Sequence, residues 1–414
     1  MKFEQRPPRA PRKFKPVPYA YHEEIELEVS TLTNRGEGLG RVNGWVVMVP
    51  FALPGERIVA RIWFNEKNFS RGDLVRVLTP SPARVEPVCP LFKTCGGCQY
   101  QNLSYESQLA WKTQQVRELL ERLAKIDVAV NPCHGSPKEY GYRTKITPHF
   151  EKPHAGESDF PIGFLRHNSR SVIDVANCPI ATDAINAEFP KIREKIREKA
   201  AAGEYDCGAT ILMRETLEGV TTDANAQVSE KVGDLTLRFL AGDFFQNNPF
   251  VLPEFVGFGV RAASSGGCKY LVDAYCGSGL FALSAAKLFA RVLGVEVSTF
   301  AVEKARENAR CNNLGNCEFV AGSSETIFAQ VAFPPSETAI IIDPPRKGCT
   351  PEFISQMMEF SPRRIVYVSC APDTQARDLK IILDSGKYEL EEVQPFDLFP
   401  QTRHIENIAV LNHK

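Results

Sequence analysis

The sequence predicts an α/β protein whose second half forms a doubly wound, Rossmann-like sheet, preceded by a small OB-like β-barrel. The first observation is a strand, a glycine turn and an apolar helix in direct succession between Tyr270 and Leu283. The second is a series of apolar strands that alternate with helices and end in polar residues, which is typical of parallel sheets. The third is a run of short alternating segments between Glu24 and Leu78, which predicts four or five barrel strands.

The composition fits a folded cytoplasmic protein of two or three domains. The chain has 414 residues, of which 43% are apolar, and this is enough for a core in each domain. Its net charge is −1, so any affinity for nucleic acid has to come from local basic patches. We find neither a membrane-spanning apolar run nor a secretory signal, and we expect no membrane contact. In a reducing compartment the twelve cysteines are expected to be thiols or metal ligands rather than disulfides.

The first eighty residues divide into a tail and the barrel. Residues 1–22 are basic and rich in proline, and we expect a disordered tail there, either to track phosphates or only to aid solubility. Residues 23–81 carry the barrel. Its arginines stand among Trp63, Phe64 and Phe69, a mixture suited to contact with single-stranded nucleic acid, although a solvated barrel face fits equally well.

Three cysteines within ten residues predict a metal centre. Cys89, Cys95 and Cys98 are separated by proline and glycine, which let the chain turn tightly around a metal. Three ligands leave such a site one short, and Cys178 is the candidate for the fourth. Spacing alone leaves zinc and an iron–sulfur cluster open, although the unequal three-plus-one spacing favours iron–sulfur.

The glycine turn predicts a nucleotide-like ligand. Gly277 and Gly279 let the backbone approach a ligand closely, and the helix after them presents free N–H groups. The next strand ends at Glu296, about twenty residues on, where a carboxylate can hold ribose hydroxyls. Ala282 stands where a dinucleotide site has its third glycine, so we favour S-adenosylmethionine. A glycine turn with a purely structural role is the alternative.

Cys370 points to chemistry at a pyrimidine ring. The strand before it ends at the cysteine and a helix follows, so the helix dipole should favour the thiolate. A thiolate that adds to C6 of uracil makes C5 nucleophilic, and a base such as Glu406 must later remove the C5 proton. The Asp343-Pro344-Pro345 motif alone would also fit methyl transfer to exocyclic amines, and a lone cysteine is often only a small buried residue.

These motifs together resemble the RNA 5-methyluridine methyltransferase family, in particular its members with a TRAM domain and an iron–sulfur cluster. The words Gly36-Glu37-Gly38-Leu39-Gly40-Arg41 and Ala52-Leu53-Pro54-Gly55-Glu56 carry the similarity to TRAM, an RNA-binding barrel. The resemblance covers nearly the whole chain beyond residue 20, with six separate motifs in the family's order.

The resemblance implies a role for each candidate residue and a division of the chain. It makes Cys370 the nucleophile and Glu406 the base, and it places Asp343 between the methyl donor and the target base. The donor contacts would be Gln246, Tyr275, Glu296 and Asp343, and the ligands of a 4Fe-4S cluster would be Cys89, Cys95, Cys98 and Cys178. The central iron–sulfur domain would span residues 82–100 and 133–241, and the methyltransferase domain residues 101–132 and 242–414.

The resemblance also implies RNA as the partner and a monomeric enzyme. We favour 23S ribosomal RNA as substrate, with a transfer RNA T-loop uridine as the alternative and a non-catalytic RNA-binding module as a further one. Leu280, Ser323 and Ala371 depart from the family pattern, in which polar residues are usual at these positions. These departures bear on donor binding and detailed geometry rather than on the reaction type.

Overall fold

The computed structural model describes residues 10–154, 157, 159–322 and 327–414, and the chain falls into two compact units. The first unit comprises Met1–Trp111, Arg166–Ser169 and Gln401–Arg403, and the second comprises Lys112–Leu165, Arg170–Pro400 and His404–Lys414. The finer division into four parts stays a prediction. Within the described ranges, the structure contains no helix with both the length and the apolar character needed to cross a membrane.

A closed five-stranded barrel forms the core of the first unit and confirms the barrel predicted from the alternating segments. Its strands are β1 (Glu24–Leu32), β2 (Glu37–Val42), β3 (Trp45–Pro50), β4 (Arg57–Asn65) and β5 (Phe69–Thr79), in the order β1-β2-β3-β5-β4. Every second residue of a strand faces the same side, so Leu27 and Val29 of β1 are both buried with Val47 and Ile58 in the barrel core.

The segment before the barrel differs from the disordered tail expected over residues 1–22. Residues 1–9 lie outside the described part of the chain, but Lys15 and Tyr19 are fixed to the barrel. The Asn65 side-chain amide donates to the backbone carbonyls of both residues at 2.7 Å, and Tyr19 packs on the barrel core. Asn65 is 2% exposed, so its amide needs these partners, which composition alone does not reveal.

Residues 82–100 belong to the first unit, whereas we expected them to fold with residues 133–241. A buried ion pair explains the difference. Arg84 Nε lies 2.5 Å from Oε1 of Glu56, whose side chain is fully buried. The Asn102 side-chain amide also donates to the Phe51 carbonyl at 2.8 Å. These contacts attach the segment that carries the three closely spaced cysteines to the barrel.

Short strands and two helices precede the main sheet. Helix α1 (Tyr105–Leu119) ends in a π-helical turn, Leu120–Ala124, and α2 spans Asp183–Ala201. The strands are β6 (Lys145–Ile146), β7 (His149–Phe150), β8 (Gly163–Leu165), β9 (Val172–Asp174), β10 (Ala209–Thr210), β11 (Met213–Thr216), β12 (Gly219–Thr221), β13 (Gln227–Val232) and β14 (Leu235–Leu240).

The main sheet has seven strands in the order β17-β16-β15-β18-β19-β21-β20, which confirms the Rossmann-like prediction. Its strands are β15 (Tyr270–Ala274), β16 (Arg291–Glu296), β17 (Cys317–Ala321), β18 (Thr338–Ile342), β19 (Arg364–Ser369), β20 (Tyr388–Phe396) and β21 (Glu406–His413). Its helices are α3 (Leu252–Ser264), α4 (Leu280–Ala285), α5 (Thr299–Cys311), α6 (Pro351–Phe360) and α7 (Pro372–Asp384). Every residue of β18 is buried, because helices cover both faces of the sheet.

One strand departs from the wholly parallel sheet that the sequence predicts. Strand β21 is inserted between β19 and β20 and runs antiparallel to both. Its first residues therefore lie at the edge where the parallel strands end, and Asn407 pairs with Ser369 there. This reversal brings a strand beginning, rather than another strand end, to the edge at which α/β sheets bind ligands.

Candidate active site

The glycine turn after β15 has the backbone that sequence reasoning required of it. Gly277 and Gly279 have φ values of +53° and +96°, which only glycine adopts readily. Asp273, near the end of β15, is 1% exposed, and its Oδ2 accepts a hydrogen bond from the Ala282 N–H at 2.8 Å. The carboxylate thus fixes the first turn of α4 against the strand.

Gln246 lies in the segment between β14 and α3. The next-door Phe245 stacks on Phe239 of β14, with ring centroids 4.4 Å apart, and the Asn248 side-chain amide donates to the Leu398 carbonyl at 3.1 Å. Because both neighbours are buried and held, Gln246 has a fixed backbone and is itself 7% exposed. The sequence predicts this residue only through the family resemblance.

Two buried acceptors, one on Gln246 and one on Asp273, fit the polar groups of S-adenosylmethionine. Gln246 Oε1 and Asp273 Oδ1 are buried, and neither has a hydrogen-bond partner in the described part of the chain. Unpaired buried acceptors are uncommon and costly, so a ligand that offers N–H or O–H donors would satisfy them. The ammonium and ribose hydroxyls of S-adenosylmethionine are such donors.

Glu296 closes the turn from the neighbouring strand. Its Oε2 accepts from the Gly277 N–H at 3.2 Å and its Oε1 from the Ser298 N–H at 3.0 Å. The carboxylate is partly exposed at the end of β16, as predicted for a group that holds ribose hydroxyls. It is therefore oriented by the backbone before any ligand is bound.

The Glu296→Ala substitution is expected to weaken donor binding roughly ten- to hundredfold, because charged hydrogen bonds contribute about 1.5–3 kcal/mol. Isothermal titration with S-adenosylhomocysteine measures this. The matched control is Glu318→Ala, which removes an exposed carboxylate paired with Arg291 on the adjacent strand and should leave affinity unchanged. Equal affinity of native and Glu296→Ala protein would remove Glu296 from the donor site.

Tyr275 and Asp343 follow two adjacent strand ends. Tyr275 comes directly after β15 with φ of +66°, an uncommon conformation for a non-glycine residue, and its ring centroid lies 5.4 Å from that of Phe353. Asp343 comes directly after β18. Part of its surface is exposed, but the loss of water around the carboxyl raises its pKa to about 7. Near neutral pH the Asp343 carboxyl can therefore gain or lose its charge at a small cost in free energy.

The raised pKa of Asp343 predicts a pH-dependent gain from Asp343→Asn. The folded protein favours the protonated carboxyl, so the native chain loses stability relative to the neutral asparagine as pH rises from about 4 to about 7. The melting temperature of Asp343→Asn should exceed that of the native protein by a margin that grows over this range and then levels off. Asp384→Asn, at an exposed aspartate paired with Lys380, is the control and should show no such trend. A margin independent of pH would contradict the assignment.

Cys370 lies between β19, which ends at Ser369, and α7, which begins at Pro372. The expectation that the helix dipole lowers its pKa is wrong, because the pKa of this thiol is raised. Burial, together with the nearby Glu406 and Asp343 carboxyls, raises the pKa of the thiol to about 11, although Arg346 acts in the opposite direction. Desolvation and two acidic neighbours therefore outweigh the start of one helix.

Glu406 opens β21 and faces the same edge. It is 4% exposed, and burial raises its pKa well above the ordinary value, with a further increase from Asp343 and a decrease from Arg346. Cys370, Asp343 and Glu406 thus influence one another's protonation and form one titrating group of side chains. A higher pKa makes the ionised carboxylate a stronger base, which favours proton removal from carbon.

Sequence reasoning assigned no role to Arg346 and Asp273. Arg346 follows Asp343-Pro344-Pro345, and its side chain hydrogen-bonds Cys370, so it is the cation that opposes the two carboxyls. Asp273 was recognised only as a strand end. The end of β15 at Asp273 and the loop that follows β18 at Arg346 were the signals that could have identified both residues.

The departures from the family pattern have local explanations where they are described. Leu280, the first residue of α4, packs against the core, and the Ala371 N–H donates to Ser369 Oγ at 3.0 Å without needing a side chain. Ser323 lies outside the described residues. Neither described departure removes a group from the Cys370, Asp343 and Glu406 set.

The predicted cysteine ligands are distributed over both units. Cys89, Cys95 and Cys98 are half-buried in the first unit, and Cys178 belongs to the second. Cys95 Sγ accepts from the Gly97 N–H at 3.4 Å, and burial, with a smaller contribution from Cys89, raises its pKa. The described residues contain no group of three or more His, Cys, Asp or Glu side chains placed to hold one metal ion.

Two protein-family models match different parts of the chain. The model of the tRNA (uracil-5-)-methyltransferase family matches residues 215–333 and 335–414, and the TRAM domain model matches residues 22–75. The tRNA (uracil(54)-C(5))-methyltransferase of Schizosaccharomyces pombe is 44% identical over 95% of this chain and 79% of its own length. The enzyme of the same name from Saccharomyces cerevisiae is 31% identical over 96% of this chain and 75% of its own.

A solved structure shares the fold. The Pyrococcus abyssi tRNA (uracil-54, C5)-methyltransferase in complex with S-adenosyl-L-homocysteine superposes with a TM-score of 0.72 and 24% identity, over 93% of this chain and 99% of that chain. The sequence and family matches extend over both the barrel and the sheet. The chain therefore belongs to the RNA uracil-5-methyltransferase family, as a TRAM-containing, S-adenosylmethionine-dependent enzyme.

Proposed function

We propose that this enzyme methylates C5 of uridine 54 in transfer RNA, the position named in its fungal relatives. The S. pombe enzyme is similar over nearly the whole chain, and this supports the transfer RNA alternative over the 23S ribosomal RNA that we favoured from the sequence. The observation that carries the reaction itself is the set of Cys370, Asp343 and Glu406 at one edge of the sheet.

In the proposed mechanism Cys370 and Glu406 act at different stages. The Cys370 thiolate adds to C6 of the uracil, and the electron pair of the C5–C6 double bond moves so that C5 becomes nucleophilic. S-adenosylmethionine, when bound, supplies the electrophilic methyl group. Once C5 carries the methyl group, Glu406 removes the C5 proton, the double bond re-forms and the thiolate leaves from C6.

The free enzyme would hold its nucleophile as a neutral thiol, because burial raises the Cys370 pKa to about 11. A positively charged donor bound near Asp343 would lower the pKa of the thiol and of both carboxyls, since an opposite charge favours each ionised form. Arg346 already acts in this direction. Donor binding would thus favour formation of the Cys370 thiolate before it attacks the uracil ring.

Labelled methyl transfer to unmodified RNA tests the substrate. Transfer RNA transcripts with uridine at position 54 should be methylated, and the same transcripts with cytidine at that position should not be. A 23S ribosomal RNA transcript serves as the competitor substrate. Methyl label found only in ribosomal RNA would overturn the proposal and identify 23S ribosomal RNA as the substrate.

We also propose, from the three-plus-one cysteine spacing, that Cys89, Cys95, Cys98 and Cys178 ligate a 4Fe-4S cluster. Anaerobically purified protein should then contain about four iron atoms per chain and absorb visible light. Iron content should fall on Cys95→Ser, whereas the control Cys311→Ser, at an exposed cysteine, should retain it. Stoichiometric zinc, or no metal in the native protein, would contradict the cluster.

A further inference from the structure

Two buried amide side chains, Gln375 and Asn407, lie on the elements next to Cys370 and Glu406. Gln375, in the first turn of α7, is 1% exposed, and Asn407, in β21, is fully buried. Asn407 Nδ2 donates to Gln375 Oε1 at 2.7 Å. Asn407 Oδ1 has no hydrogen-bond partner among the residues that the structure describes, so the Gln375 contact holds the Asn407 side chain.

Gln375 also binds the backbone of two strands. Its Nε2 donates to the Tyr367 carbonyl of β19 at 2.8 Å and to the Asn407 carbonyl of β21 at 3.3 Å. One amide group therefore uses its donors and an acceptor to tie β19, β21 and the start of α7 together. Because all these groups are buried, water cannot replace a bond that is lost.

The hydrogen bonds of Gln375 to Tyr367 and Asn407, which we call the clamp, lie close to the segments that carry the reacting groups. Cys370 lies on the short connection between β19 and α7, and Glu406 is the residue before Asn407. The strand register places Asn407 opposite Ser369, which precedes Cys370. Any movement of β21 relative to β19 would therefore change the distance between the nucleophile and the base.

We propose that Gln375 is a positioning residue that sets the placement of the Glu406 carboxyl relative to Cys370. The inference rests on the proposed roles of Cys370 and Glu406. Gln375 does not touch the substrate in this proposal, and its effect passes through the clamp. Proton removal from C5 depends on close placement of the base, so this step should suffer most when the clamp is loosened.

The test compares Gln375→Met with the native enzyme in single-turnover reactions with transfer RNA and labelled donor. Methionine keeps the length of the side chain but donates no hydrogen bond. The covalent protein–RNA adduct should form at close to the native rate and resolve roughly ten- to hundredfold more slowly. The matched control is Asn316→Leu in the same unit. It also removes two hydrogen bonds from a side-chain amide to backbone carbonyls, those of Ala286 and Phe289. The control should not change the ratio of the two rates.

A purely structural role predicts a different pattern. If formation and resolution fall equally, or if neither changes while the melting temperature drops, the positioning role is overturned. Should Gln375→Met fail to fold, Gln375→Glu retains the acceptor for Asn407, and the same slowing of resolution is expected. If native enzyme and Glu406→Gln enzyme both lack an adduct, the proposed mechanism fails, and this inference fails with it. That outcome is seen with these two proteins alone, so it is distinguishable from a failure of the positioning role.

Discussion

Cys370→Ala is expected to abolish methyl transfer, with a loss of about 10⁴-fold or more, because no other group in the site can add to C6. The structure places no second thiol in the titrating group around Glu406 and Asp343, within the described part of the chain. Donor binding should persist, since Cys370 is not among the candidate donor contacts. Labelled methyl transfer and titration with S-adenosylhomocysteine measure the two properties separately.

Cys268→Ala is the control for this loss. Cys268 is 7% exposed in the same unit and close to Arg363 and Arg364 rather than to the carboxyls of the site. Its removal should leave turnover near the native value. Retained turnover in Cys370→Ala would instead indicate methyl transfer to an exocyclic amine, the chemistry that Asp343-Pro344-Pro345 would serve without a cysteine.

Glu406→Gln is expected to stop the reaction after methyl transfer rather than before it. The variant keeps Cys370 and the donor site but lacks a base for the C5 proton, so resolution should slow by about 10²–10⁴-fold. RNA should therefore remain attached to the protein through the C6 thioether. A denaturing gel of variant, transfer RNA and donor should show a slowly migrating protein–RNA band.

The double substitution Cys370→Ala and Glu406→Gln controls for non-specific cross-linking and should give no such band. Replacement of the target uridine by 5-methyluridine should also prevent it, since methylation at C5 has already occurred. Full turnover by Glu406→Gln would move the base role elsewhere. His404 would be the next candidate, because histidine is a common general base and the His404 ring packs against Phe399, with the ring centroids 5.7 Å apart.

The positions of Asp273, Glu296 and Asp343 could be predicted from the sequence because each closes a short apolar run. Ends of parallel strands share one edge of a sheet, so such residues meet without any knowledge of distant contacts. The position of Glu406 could not be predicted in this way, because Glu406 begins a strand. Only the insertion of β21 in reverse between β19 and β20 brings it to that edge.

The protonation of Cys370 could not be predicted from local sequence. The start of α7 is visible in the chain as Pro372, but the carboxyls of Glu406 and Asp343 reach the thiol from β21 and from the end of β18. Likewise, the fully buried pair of Lys112 Nζ and Asp397 Oδ1, at 2.6 Å, joins residues 285 positions apart. Periodicity and motifs carry no information about such long-range pairs, which form only when the sheet is assembled.

The cysteine spacing shows the reverse case. The three closely spaced residues are obvious in the sequence, yet Arg84 and Glu56 fix their segment to the barrel, and Cys178 lies in the other unit. Spacing therefore identified candidate ligands without determining where their backbone would fold. Metal analysis, rather than pattern, decides what they hold.

Mass mapping of the trapped complex tests the central claim most directly. Glu406→Gln protein would be incubated with unmodified transfer RNA and donor, digested with protease and nuclease, and the cross-linked peptide sequenced. We expect a peptide in which Cys370 carries a methylated uridine derived from position 54. An adduct on a different cysteine, or methylated RNA with no adduct under conditions that preserve thioethers, would contradict it.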